Sequence, residues 1–127
     1  MHRSTLALIV TLTAGPAAQA HHSPSGYDHA RQTTIDAVVV EFRFINPHAF
    51  LIVESGGQTW RIELDDRNEL SDGGVTEATF RPRDRVEVTG RPGRSDAHAM
   101  YMARVEKTDG LILQQVGSSP RLTPAPR

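Results

Sequence analysis

The chain has 127 residues, no cysteine and a formal net charge of −1 at pH 7. That length accommodates one small domain. The lack of cysteine excludes disulfides, thiolate metal sites, cysteine nucleophiles and a lipidated N-terminal cysteine. The near-neutral charge provides neither the basic face that nucleic-acid binding needs nor a polybasic membrane patch.

Met1–Ala20 has the three parts of a secretory signal peptide. His2 and Arg3 form a positive start, Leu6 to Ala14 an apolar middle, and Gly15 and Pro16 a helix break before Ala18-Gln19-Ala20, an A-x-A cleavage site. The apolar run is shorter than the about 20 residues a membrane span requires. The expected mature chain therefore begins at His21, carries no membrane span and is periplasmic or secreted. It would keep 107 residues, with 13 Lys and Arg against 15 Asp and Glu, a net charge of −2.

Residues 21–33 are polar and aperiodic and read as an extended N-terminal arm. A barrel domain is expected over 34–110. Thr34–Phe44, "TIDAVVVEFRF", is rich in β-branched and aromatic residues, with Val38, Val40, Phe42 and Phe44 alternating onto one face. Pro47 cannot donate a ladder hydrogen bond and marks a bend. Ala49–Val53 resumes a strand, Gly56 and Gly57 signal a hairpin turn, and Trp60, Ile62 and Leu64 alternate inward. "DDRNEL" predicts a short helix capped by Asp66, with Glu69 three residues later. Val86 and Val88 share a face of a fourth strand. "AMYMARVEK" is a fifth, with Tyr101, Ala103 and Val105 on one side and Met100 and Met102 on the other. The proline-rich end, 111–127, reads as a disordered tail. Five short strands with one helix between the third and fourth predict a mainly β fold, a small five-stranded OB-like barrel. A small sandwich with other connections would give the same linear pattern.

No nucleophile elbow, Gly-rich phosphate loop or nucleophile–base constellation is present, so no enzymatic activity is expected. The histidines carry the remaining signal. His21, His22, His29, His48 and His98 survive cleavage. The α-amine and Nδ1 of an N-terminal histidine can chelate one ion, and a further imidazole completes a three-nitrogen site of the kind Cu(II) favours. His48, at the bend after the first strand, is the best partner, and Asn46 could orient its ring. The alternative for Asn46-Pro47-His48 is a plain turn, a common role of Asn-Pro pairs. His29 shares the arm with Asp28, and His98 lies in a loop. Met100 and Met102 could be soft copper ligands, but their strand spacing favours packing.

These motifs together resemble a family of small exported bacterial proteins of unknown function. "AHHS" after the signal, Asp28, "EFRFINPHAF", the strand Trp60 to Leu64 and "FRPRDRVEVTGRP" recur in order, over roughly residues 20–110. The resemblance implies an OB-like barrel and a periplasmic location, and no established activity. Its motif picks out His21, His22, Asp28, Asn46, Pro47 and His48, and leaves out His29 and His98. Two segments depart from the family pattern: "LDDRNELSDGGVT" lacks its Ser-Pro-Asn and Gly-Trp pairs, and "GRPGRSDAHAMYM" its Asp-Gly-Ser run. Two functions are then expected in competition. One is a copper-binding carrier or buffer using His21, His22, His48 and Asp28. The other is a metal-free module holding a periplasmic protein partner or small ligand on Trp60, Tyr101 and Phe50, although core packing would explain those aromatics equally well.

Overall fold

In the computed structural model, residues 25–125 and Arg127 are described. They form β1 (Thr33–Arg43), β2 (Phe50–Ser55), β3 (Gln58–Glu63), α1 (Arg67–Asp72), β4 (Arg85–Pro92), β5 (Ala99–Lys107), β6 (Ile112–Val116) and β7 (Ser119–Thr123). β1 pairs antiparallel with β2 on one side and β4 on the other, β2 pairs with β3, and β4 with β5. A short parallel pairing of Arg61–Glu63 with Ala99–Tyr101 joins β3 to β5 and closes the cylinder. The result is a mainly β, five-stranded OB-like barrel, with α1 between β3 and β4. The β2–β3 hairpin turns on Gly56 and Gly57, both at positive φ (58° and 76°), as a two-residue hairpin loop requires.

The core lies inside this cylinder. Leu51, Val53, Ile62, Leu64, Val88, Met100, Met102 and Val105 are all buried there, which settles the two methionines as packing residues. Phe80 plugs one flank, edge-on to Phe42 at 5.3 Å. The inward faces of β1 and β5 differ from a strict alternation. In β1 the register shifts between Val39 and Glu41, so Val40 is an extra residue. Ala37 and Val39 point inward before this bulge and Phe42 after it, while Val38 and Val40 are exposed. In β5 the extra residue is Ala103: Gly90 faces Met102 while Thr89 faces Arg104. Met100 and Met102 therefore share the inward face with Val105. A bulge inserts one residue against one partner strand and reverses the phase of all that follows.

The expectation of a disordered tail from residue 111 is also corrected. β6 pairs with β5, and β7 returns along β6 through a turn at Gly117, whose φ is 65°. Leu113 is completely buried, and Leu122 is laid against the core. Pro120 is tolerated because β7 is an edge strand. The far edge of β7 meets the end of α1, where the Leu122 N–H donates to the Gly73 carbonyl at 2.8 Å. A Cβ on Gly73 would stand 2.3 Å from the Pro120 carbonyl oxygen, so only glycine permits that approach. The helix itself matches expectation. Asp66 caps it, accepting from the Asn68 and Glu69 N–H groups at 2.7 and 2.9 Å.

Candidate functional site at the barrel mouth

The Asn46-Pro47-His48 loop between β1 and β2 is tied down from both ends. Asn46 Oδ1 accepts the Arg67 N–H at 2.9 Å, holding the loop to the start of α1. The strand pairing beyond it continues through Leu64 N–H to the Ala49 carbonyl and Ala49 N–H to the Asp65 carbonyl. His48 is thereby fixed beside the last residues of β3. Its Nδ1 lies 3.1 Å from Glu63 Oε1 and 3.4 Å from the Leu64 carbonyl oxygen. Asn46 thus serves the turn, and among the described residues it is the Glu63 carboxylate that meets the His48 ring.

The second carboxylate oxygen of Glu63 accepts a short hydrogen bond from the Tyr27 hydroxyl. Tyr27 belongs to the N-terminal arm, which is laced to the end of β4. Asp28 N–H donates to the Pro92 carbonyl, Arg94 N–H to the Gly26 carbonyl, and the Arg94 guanidinium to the Tyr27 carbonyl. A parallel arrangement stands alongside. The Tyr101 hydroxyl donates to Asp65 Oδ1 at 2.6 Å, while Gln115 from β6 donates to the other oxygen of that buried carboxylate. The two tyrosine rings meet at 5.7 Å. Burial first, then the carboxylate each hydroxyl donates to, pushes both tyrosine pKa values well above the ordinary 10.

Of these residues Tyr27, His48, Glu63 and Tyr101 wall a cleft of about 350 Å³, with Ser25, Gly26, Arg61 and Asp96 among the others that line it. A larger groove of about 760 Å³ lies between the β2–β3 turn and the adjoining ends of β4 and β5, beside Asp36, Glu54, Arg85 and Lys107. It includes none of the candidate ligands His21, His22, Asp28 and His48, whereas the smaller cleft includes His48.

Of those residues, His21 and His22 lie outside the described residues. Asp28 is in a turn of the arm, where its carboxylate accepts the Ala30 N–H at 3.1 Å and its carbonyl the Arg31 N–H. His98 is edge-on to Trp60 at 5.1 Å and does not line the cleft. Trp60 is half-buried against the core, and Phe50 is covered by the Arg61 guanidinium at 5.4 Å. Trp60 and Phe50 do not line the cleft, whereas Tyr101 does. Among the described residues, no group of three His, Asp or Glu side chains is arranged to hold a metal ion. Tyr27, Glu63, Asp65 and Gln115 escaped the sequence reading. A lone tyrosine in a polar arm was the one available hint.

The family model matches residues 9–102, a stretch that takes in both the His-His-Ser segment and the Asn-Pro-His loop. The chain belongs to DUF6152, a family of unknown function. Within this DUF6152 member, β6 and β7 follow the matched stretch, so Gln115 reaches Asp65 from beyond it. The chain matches no curated protein sequence. Among solved structures, it is similar to a ZRD-deleted mutant of TiaS in complex with agmatine, with 15% identity and a TM-score of 0.51 over 78% of this chain and 27% of that one. It also aligns with TiaS in a complex with a tRNA, AMPCPP and agmatine, with 14% identity and a TM-score of 0.47 over 80% of this chain and 28% of that one. The DUF6152 chain spans about a quarter of the TiaS chains it matches, and at this identity the likeness concerns the fold alone. No helix among the described residues is long and apolar enough to cross a membrane.

Proposed function

We propose that the protein is exported, cleaved between Ala20 and His21, and binds one copper ion as a carrier or buffer. The ligands are the α-amine and Nδ1 of His21 together with His48. His22 completes the set, and Asp28 orients the arm through its turn. The observation that carries this reading is that Ser25, Gly26 and Tyr27 line the same cleft as His48. His21 is four residues before Ser25, a contour of at most about 14 Å, so the chain's own length keeps the new N-terminus within reach of that cleft. Among the described residues, Glu63 Oε1 and the Leu64 carbonyl lie against His48 Nδ1 and are acceptors, which favours the proton on that nitrogen. Three nitrogens suit Cu(II), which stands at the top of the divalent affinity order.

The test is copper titration of the processed protein, followed by electron paramagnetic resonance, with intact-mass confirmation that the chain begins at His21. One residue added ahead of His21 should disrupt the site and leave the fold intact. His48→Ala should weaken binding, and His98→Ala should matter little. Binding should weaken as pH falls through about 6.5, where imidazole ligands compete with protons. If the extended chain binds copper as tightly as the processed one, the chelate is wrong. The cleft is then better read as the site of a metal-free module for a small ligand or a protein partner.

A further inference from the structure

Among the described residues, Glu63 touches two separate parts of the chain. Oε1 contacts the ring of His48, which the β1–β2 loop supplies, and Oε2 receives the hydroxyl of Tyr27, which the arm supplies. The Glu63 side chain is only 19% exposed and that of His48 22%, so neither contact is a surface pairing readily exchanged for water. Tyr27 is 7% exposed. Its hydroxyl must donate to a protein acceptor or lose a hydrogen bond in a buried place.

We infer that Glu63 is a positioning residue that makes the N-terminal arm and His48 a single unit. One carboxylate oxygen fixes the His48 imidazole in its Nδ1–H form, and the other holds Tyr27, six residues after His21. A carboxylate on one ring nitrogen orients an imidazole and raises the basicity of the other nitrogen, the usual outer support of a histidine ligand. In this chain the same carboxylate also anchors the segment that leads back to His21. Metal affinity would then depend on Glu63 through both the ring and the arm. The part of this inference that concerns metal rests on the copper reading; the hold on the ring does not.

That separation makes the experiment decisive. In the metal-free chain at about pH 8, above the ordinary imidazole range, the ring nitrogen shifts of His48 report its tautomer by nuclear magnetic resonance. The wild type should show Nδ1–H. In Glu63→Gln the amide has one acceptor and one donor end. The buried Tyr27 hydroxyl claims the carbonyl, the amino group faces Nδ1, and the ring should switch to Nε2–H. Adding Tyr27→Phe removes the claim, lets the amide turn over, and should restore Nδ1–H. A purely structural role for Glu63 predicts no such rescue. The same tautomer in all three chains, or Nε2–H in the wild type, overturns the inference. The wild-type result stands even if Glu63→Gln does not fold. With copper added, Glu63→Gln should lose about 10–100-fold in affinity. A chain that shows the switch and its rescue but takes no copper overturns the copper reading and supports the hold of Glu63 on His48.

Discussion

The chain has two tyrosines, Tyr27 and Tyr101, and each donates its hydroxyl to a carboxylate at the barrel mouth. Both phenols are raised above their ordinary value by burial and by those carboxylates, whereas in the unfolded chain they ionise near 10. The unfolded state therefore loses its phenolic protons first. The stabilisation is fully present below about pH 10 and is lost as pH rises through the raised folded values. A phenolate absorbance titration should accordingly show no step near pH 10 in the folded protein, with ionisation arriving together with unfolding. Tyr101→Phe should reduce the alkaline sensitivity. Asp65 is the acceptor on which two side chains converge, and Asp65→Ala should cost about 1–3 kcal/mol in urea unfolding by leaving the Tyr101 hydroxyl and the Gln115 amide without it. At this scale the sequence drew attention to His48, because an imidazole beside Asn-Pro in a bend is chemically conspicuous. It did not disclose Glu63, which alternates outward from Ile62 like any solvated strand residue. The residues that give Glu63 its role come from sequence positions 27 and 48, which only the folded register brings to it.

Among the elements, the Gly-Gly hairpin, the clean alternation of β3 and the capped helix were all legible, because each is specified within a few neighbouring residues. The bulges in β1 and β5 were not, since an extra residue is defined only against a partner strand. Gly90 shows how tightly the β5 bulge is accommodated. A Cβ there would lie 2.4 Å from the Tyr101 carbonyl oxygen and 2.5 Å from Met100 Cγ. Gly90→Ala should therefore destabilise by about 1–3 kcal/mol, the usual cost of overpacking, measurable by thermal unfolding. The β6–β7 hairpin was hidden by its composition, with Pro120 and flanking serines resembling a solvated tail. Its attachment rests on few apolar groups, foremost Leu113. Leu113→Ala should cost about 2–5 kcal/mol, the range for emptying a large aliphatic side chain from a core. If the hairpin were a loose appendage, that substitution would be nearly silent.

For the molecule as a whole, the barrel order could be anticipated from strand count and helix position, since few arrangements close five short strands around one core. The parallel seam between β3 and β5 that completes it is only three residue pairs long. Around this seam the mouth collects Tyr27, His48, Glu63, Asp65, Tyr101 and Gln115, contributed by the arm, the β1–β2 loop, β3 and the residues after it, β5 and β6. The contact between Asp65 and Gln115 spans 50 positions, and those of the two tyrosines with their carboxylates span 36 each. Long-range pairings of this kind must wait for the loops between them to close, which makes folding slow and late-converging. The barrel's own pairing of β1 with β4, Thr33 with Gly90, spans still more positions, so the mouth and the barrel depend on the same distant closures. In refolding from urea, the shielding of Tyr101 should therefore recover together with the backbone signal of the strands. An intact mouth thus reports that segments far apart in the polypeptide have arrived together at their native arrangement.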